Sequence, residues 1–148
     1  MGRSRGPNCI SLLEELIIES CPMLKTCSMN GFSSHHRLLC LTIMECPKLM
    51  VITSLNGLTS LKMLKLSDCD GLTCLPTGLG SCISLWWLYI YHCKELRSIP
   101  EEWLCRLTCS KKLQIGGFWL KFEEFPRLSS IHHLCASLEE LRLEGWIY

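Results

Sequence analysis

The residues of this 148-residue sequence that could do metal or nucleophilic chemistry are twelve cysteines and five histidines. Zinc sites pair their ligands at spacings such as C-x2-C or H-x3-H. The closest cysteine pairs are Cys105 with Cys109 and Cys69 with Cys74, and neither has a matching second pair. Four of the histidines form two adjacent pairs, which are more often solvated than ligating. We therefore expect no metal site.

Nucleophilic catalysis has no better support in the sequence. Cys93 follows His92, but the pair lies in no signature context of a cysteine–histidine enzyme. The phosphate-binding pattern G-x4-G-K-[ST] does not occur in the sequence. We predict that the chain is not an enzyme and that it uses no cofactor.

The cysteines become regular when the chain is aligned on one stretch, SLWWLYIYHC at residues 84–93. From Leu85 this stretch reads L-x-x-L-x-I-x-x-C, and the same skeleton recurs along the chain. Its last two copies carry an aromatic residue in place of the cysteine. The copies begin at Leu13, Leu38, Leu61, Leu85, Ser110 and Leu138. Their intervals of 23 to 28 residues fall within the range of leucine-rich repeats, roughly 20 to 29.

Each copy predicts one short β-strand. Successive side chains of a strand point to opposite faces, so over residues 87–91 Leu88 and Ile90 share one face and three aromatic rings share the other. One strand cannot bury its leucines alone, whereas stacked copies pair in a parallel sheet over one core. We predict an α/β fold, a leucine-rich-repeat solenoid (horseshoe). About six short parallel strands form its concave face, with loops and short helices on the convex side.

The prolines lie where the chain should leave each strand for the convex side. Pro76, Pro100 and Pro126 each follow an apolar residue and fix φ for a turn. The segment PEEWLCRL at residues 100–107 predicts a short helix with Pro100 in its first position.

Composition places the chain among globular rather than disordered domains. It is 48% hydrophobic and 20% charged, and its net charge of +1 gives no general attraction to nucleic acid or to an anionic membrane. Residues 71–93 lack charge, but they contain a proline and three glycines, which disfavours a membrane span. We assign residues 1–148 to one domain. We expect it to be a fragment without caps or upstream domains, and we expect the isolated chain to be poorly soluble or to self-associate through its ends.

The twelve cysteines suggest a disulfide scaffold at first, but their positions disfavour one. Four of them occupy the ninth repeat position, just past the strand, where a small polar side chain can satisfy backbone groups of the turn. Cys82 and Cys135 precede their repeats by three residues and are expected to be small core residues. Stacked thiols about 4.8 Å apart could be oxidised. The absence of a sequon and of a secretory signal instead favours free thiols in the cytoplasm or nucleus.

Residues 58–103, LTSLKMLKLSDCDGLTCLPTGLGSCISLWWLYIYHCKELRSIPEEW, resemble the C-terminal leucine-rich repeats of plant intracellular nucleotide-binding leucine-rich-repeat (disease resistance) proteins. The shared motif is the ninth-position cysteine followed by Leu-Pro or Ile-Pro, and the resemblance extends over residues 10–146. It implies recognition of pathogen effectors and restraint of an attached nucleotide switch. The sequence departs from the family because no coiled-coil, Toll-like or nucleotide-binding domain is present, and because repeat five has lost its first leucine and its cysteine.

In a horseshoe, the side chains between the inward leucines are exposed on the concave face. Aromatic and arginine side chains dominate the energetic centres of interfaces, so the fourth repeat is predicted to supply the anchors. The alternatives are that the rings pack on one another or that this strand is buried on both faces. The predicted protein-binding residues are Met63, Lys65, Trp87, Tyr89, Tyr91, Lys112, Gln114 and Arg142.

Three functions are consistent with such a surface. The favoured one is binding of a protein ligand, either a pathogen effector or a host protein, or other domains of the same receptor. A second is service as the substrate receptor of a ubiquitin ligase, which would require an F-box. The third is single-stranded nucleic acid binding, in which Trp87 and Tyr89 stack bases. The phosphates would then be contacted by Lys62, Lys65, Lys111 and Lys112. Acidic first and last repeats disfavour it, and a steep salt dependence would reveal it.

Overall fold

The computed structural model describes residues 12–30, 32, 37–117 and 136–145, and in them the predicted strands form one parallel sheet. Neighbouring strands pair over their full five-residue length with the repeats in exact register, so that Leu64 lies beside Leu88 and Leu88 beside Leu113. The strand order is β1-β3-β5-β6-β7-β8. These strands are β1 (Glu15–Glu19), β3 (Cys40–Met44), β5 (Met63–Ser67), β6 (Trp87–Tyr91), β7 (Lys112–Gly116) and β8 (Glu140–Glu144). The stack of about six parallel strands is thereby confirmed.

The opposite side of the solenoid holds shorter elements. A two-stranded sheet joins β2 (Thr26–Cys27) and β4 (Val51–Ile52), and a 3-10 turn spans Leu79–Ser81. Helix α1 (Glu101–Leu104) is shorter than predicted. Pro100 is the N-cap residue, with an extended ψ of 126°, rather than the first residue of the helix. The described part of the chain is therefore a parallel β-solenoid with little helix. No described helix has the length and apolar character needed to cross a membrane.

The core is built by the fourth and sixth repeat positions. In the four central strands of the sheet these side chains are fully buried. Each buried leucine or isoleucine contributes about 1.5 to 3 kcal/mol, and stacking lets neighbouring repeats bury one another. The fully buried pairs are Leu41 and Ile43, Leu64 and Leu66, Leu88 and Ile90, and Leu113 and Ile115.

At the eighth repeat position, just after each strand of the six-stranded sheet, the backbone adopts a left-handed conformation. Its φ is between 51° and 54° where the residue is not glycine, and 65° and 79° at the two glycines. In the first five repeats the amide at this position donates a hydrogen bond to the next repeat, as from Asp68 N to Tyr91 O at 3.1 Å. Such a bond helps to hold a conformation that L-residues seldom adopt. The positions are Ser20, Glu45, Asp68, His92, Gly117 and Gly145.

The turn directs the ninth-position cysteines into the stack. Each thiol donates to the backbone carbonyl two residues earlier, at 3.4 Å for Cys21, 3.3 Å for Cys46, 3.4 Å for Cys69 and 3.5 Å for Cys93. The predicted role of these cysteines in satisfying turn groups is confirmed. The predicted burial of Cys82 is confirmed as well, whereas Cys135 and Pro126 lie outside the described residues.

Burial alters the acidity of these thiols. It raises the pKa of Cys69 to about 11 and that of Cys93 to about 12, because a thiolate there would lose its hydration. The ten described cysteines are free thiols in the structure. A buried thiol with a raised pKa is a poor nucleophile, so Cys93 is a structural residue rather than a reactive one.

Candidate binding surface on the strands

The outward side chains of the six strands form three rows across the sheet, because all strands share one register. Neighbouring strands lie about 4.8 Å apart, which lets side chains in one row touch. Row one holds Glu15, Cys40, Met63, Trp87, Lys112 and Glu140. Row two holds Ile17, Thr42, Lys65, Tyr89, Gln114 and Arg142. Row three holds Glu19, Met44, Ser67, Tyr91, Gly116 and Glu144. All eight predicted binding residues therefore lie on one face.

The three rings of β6 differ in exposure. Trp87 and Tyr89 are half-buried, whereas Tyr91 is only 9% exposed. Tyr89 stacks on Tyr91 with ring centroids 5.0 Å apart, and Trp87 contacts Trp86 at 6.2 Å. Ring packing, the alternative to full exposure, is therefore part of this surface. The expectation that Tyr91 is exposed is wrong.

Tyr91 is buried because the neighbouring strand carries a glycine. A Cβ atom on Gly116 would lie 2.9 Å from Tyr91 Cζ, so the ring occupies the space that a side chain would need. The phenol hydroxyl donates a hydrogen bond to the Glu144 carboxylate on the strand beyond. Burial, aided by this bond and by the negative charge of Glu144, raises the pKa of Tyr91 to about 12. Tyr91 thus joins three strands and is held as a structural residue.

Strand β5 carries cations without a carboxylate partner. The Lys65 ammonium lies 5.2 Å from the centre of the Tyr89 ring, a cation–π contact, and Lys62 is exposed just before the strand. In the described ranges neither lysine forms an ion pair. Burial raises the pKa of Tyr89, with a further contribution from Asp68, so its hydroxyl stays protonated at neutral pH.

Strands β7 and β8, by contrast, neutralise their own charges. Lys112 and Arg142 both lie near the Glu140 carboxylate, at 3.7 and 3.5 Å, and Arg142 also reaches Glu144 at 3.7 Å. Gln114 donates to Glu140 at 2.5 Å. Pairs this exposed add little to stability, but they occupy the polar groups of three predicted binding residues.

The indole nitrogen of Trp87 has no hydrogen-bond acceptor among the described residues. Its Nε1 atom is buried, and no group in that part of the chain accepts its proton. Leaving a buried donor unpaired costs about 1 to 3 kcal/mol. Such an atom in a native structure calls for an explanation, and an intermolecular acceptor is one.

The predicted protein-binding set omits the residue just before each strand. Trp86 at this position is 37% exposed, and the exposed Lys62 holds the same position one repeat earlier. The two residues occupy the same position in neighbouring repeats, because the Trp86 amide donates a hydrogen bond to the Lys62 carbonyl at 3.0 Å. Aligning the second repeat position as well as the third, fifth and seventh would have found both residues.

Other parts of the described chain offer no comparable chemistry. No three His, Cys, Asp or Glu side chains of the described ranges come together to hold a metal ion. A cleft of about 220 Å³ lies on the opposite side beside Trp103, with Glu102 and Arg106 on its wall. The outward face of the sheet is where aromatic, cationic and unpaired polar groups meet.

The fold and this face define the chain as a parallel repeat solenoid that displays side chains in fixed rows. No protein-family profile matches the sequence. Among curated proteins it is similar to disease resistance protein RPS4B of Arabidopsis thaliana, with 31% identity over 141 aligned residues. The alignment takes in 82% of this chain and 11% of the relative, so the chain spans about a tenth of that protein's length. The sequence thus resembles a plant disease resistance protein, as its repeat motif predicts.

Proposed function

We propose that this chain is a leucine-rich-repeat recognition module of a plant immune receptor, and that it binds a protein ligand without catalysing a reaction. The observation that carries the proposal is the cluster of Trp86, Trp87 and Tyr89 beside Lys65 on the central strands. Aromatic groups held on a rigid sheet lose little entropy on binding, and they are enriched at the energetic centres of interfaces.

The remaining parts of the proposal follow from the repeat class and the relative. The sheet would form the concave face of a horseshoe, and the ligand would be a pathogen effector or a host protein. Other domains of the same receptor would be a second partner, restrained until the ligand binds. The module would act in the cytoplasm or the nucleus. Service in a ubiquitin ligase stands as the alternative function, since it would use the same face.

The test separates binding from folding with matched variants. Purified pathogen-secreted proteins and candidate host proteins are screened against the native chain and against variants Trp87→Ser and Tyr89→Ser. We expect a partner whose affinity falls by about 2 kcal/mol or more with either variant. A variant on the opposite side, Glu102→Ala, should leave that affinity unchanged. Partners that bind all variants equally would contradict the proposal.

Single-stranded nucleic acid is a weaker candidate for this face. Lys111 and Lys112 are paired with Glu139 and Glu140, at 2.8 and 3.7 Å, and are therefore not free to contact phosphates. Titration with a short oligothymidylate should give no saturable binding at physiological salt. Saturable binding that weakens steeply with salt would favour the nucleic-acid function instead.

A further inference from the structure

The outward face is divided electrostatically between its two halves. On β7 and β8, Lys111, Lys112 and Arg142 each lie within 4 Å of a glutamate carboxylate. At β5, Lys62 just before the strand and Lys65 on it have no carboxylate partner in the described part of the chain. A partner's anionic group gains more from an unpaired ammonium than from one whose existing pair it must replace. An incoming carboxylate would therefore bind at β5.

Apolar groups surround the two unpaired lysines. Met63 lies between Lys62 and Lys65 in sequence and pairs in register with Trp87 on the next strand. Trp86 is 37% exposed beside Lys62, and the Tyr89 ring lies under the Lys65 ammonium. A ligand that places a carboxylate here must therefore also present apolar or aromatic surface, since charged groups alone would leave these side chains in water.

The unpaired indole N–H adds a third requirement. Trp87 Nε1 lacks an acceptor among the described residues and is covered by its neighbours, so an external acceptor can reach it only if the indole turns outward. A main-chain carbonyl of a bound segment would supply that acceptor. Turning outward breaks no hydrogen bond of Nε1 to the described residues, because it makes none there.

A nucleic acid meets these requirements less well. A strand of phosphates would extend past β5 in both directions. It would meet Glu15 and Glu19 on β1 at one side and, on β7 and β8 at the other, cations that are already paired with glutamates. One or two carboxylates in a short protein segment fit the two unpaired lysines without that repulsion.

We propose that the half of the face formed by β5 and β6 binds a short acidic segment of a protein that also carries an aromatic or leucine side chain. Its carboxylate lies between Lys62 and Lys65, its apolar side chain packs on Met63 and Trp86, and a main-chain carbonyl accepts from Trp87 Nε1. This inference rests on the proposed function, because it specifies the partner of the same surface.

The experiment uses a phage-displayed library of short random peptides selected on the whole chain. We expect enriched peptides to carry Asp or Glu within two or three positions of an aromatic residue or leucine. A synthetic copy of an enriched peptide should bind about tenfold more weakly to Lys62→Gln/Lys65→Gln. The matched control Lys94→Gln/Lys111→Gln alters two exposed cations outside the predicted binding set that are already paired with Asp70 and Glu139, so it should retain the affinity. In Trp87→Phe, peptide binding should weaken and the change in tryptophan fluorescence on binding should diminish.

Each other outcome overturns a defined part of the argument. Enrichment of neutral or basic peptides whose binding still depends on Tyr89 would overturn the acidic partner and leave the proposed function standing. Equal loss in the two lysine double variants would overturn the assignment to β5. Binding of oligothymidylate in competition with the peptide would show that the site binds nucleic acid and would overturn the proposal of a protein segment. No enrichment over a bare support would overturn both the inference and the proposed function.

Discussion

Two tyrosines on one strand show how a single neighbouring residue decides a side chain's role. Tyr89 and Tyr91 both point outward from β6, but only Tyr91 is beside a glycine on β7. The missing side chain at Gly116 lets the Tyr91 ring lie flat and reach Glu144, while Tyr89 keeps part of its ring in solvent. One ring is therefore structural and the other is available to a partner.

This difference predicts opposite effects of the same substitution. Tyr91→Ser should lower the free energy of unfolding by about 2 to 4 kcal/mol, because it removes a buried ring and its bond to Glu144. Tyr89→Ser should change it by about 1 kcal/mol or less. Urea denaturation measures both values. Equal losses at the two positions would show that Tyr89 is structural as well.

Trp87 supports a second prediction at the residue scale. The unpaired indole N–H destabilises the folded state by about 1 to 3 kcal/mol. Trp87→Phe keeps an aromatic ring and removes that group. The loss of apolar area offsets part of this gain, so the free energy of unfolding should stay the same or rise by about 1 kcal/mol. A fall of more than about 1 kcal/mol in urea denaturation would mean that Nε1 has an acceptor in solution.

At the scale of elements, three buried cysteines should make the stability fall at alkaline pH. The folded state raises the pKa of Cys69 to about 11 and those of Cys82 and Cys93 to about 12, all from a reference value of 9.0. Between pH 9 and 11 the unfolded chain therefore loses thiol protons that the folded chain retains. The stabilisation is complete below pH 9 and is lost as pH rises toward the folded pKa values.

The expected slope can be measured. Three thiols should lower the free energy of unfolding by about 4 kcal/mol per pH unit near pH 10, on top of the titration of other groups. Urea denaturation under reducing conditions gives the slope, and Cys93→Ala should reduce it by about 1.4 kcal/mol per pH unit. An unchanged slope in Cys93→Ala would show that this thiol ionises alike in both states.

The left-handed residue after each strand of the six-stranded sheet is a second feature that shapes every repeat. It turns the chain sharply, so the next side chain enters the core rather than continuing the strand's alternation. Repeats five and six have glycine there, the residue that adopts this conformation without strain. The same two repeats lack the ninth-position cysteine, so the left-handed turn does not depend on the thiol that follows it.

At the scale of the whole molecule, burial at the fourth repeat position falls toward the ends of the sheet. Leu88 at the centre is fully buried, Leu16 on β1 is partly buried, and Leu141 on β8 is 43% exposed. A solenoid is stabilised by contacts between neighbouring repeats, so central positions have a neighbour on each side.

Three equivalent substitutions test this gradient. Leu88→Ala should cost about 2 to 5 kcal/mol of unfolding free energy, and Leu141→Ala about 1 kcal/mol or less. Leu16→Ala should fall between them. Chemical denaturation of the three variants gives the order. A cost at Leu141 equal to that at Leu88 would indicate that the end of the sheet is as well packed as its centre.

The sequence by itself determined the six strands of the main sheet, their parallel stacking and their register. The reason is that a two-residue alternation within a 23- to 28-residue period leaves one arrangement that buries every leucine. It also placed the eight predicted binding residues on one face, because outward positions follow from the inward ones. The ninth-position thiols were predictable in the same way.

Only the tertiary structure decided which outward side chains are available. Exposure of Tyr91 depends on the space that Gly116 leaves empty, and the availability of Lys112 depends on Glu140 on the next strand. Such contacts join residues about 24 to 28 positions apart, and a repeat pattern describes each position without the size or charge of its neighbour.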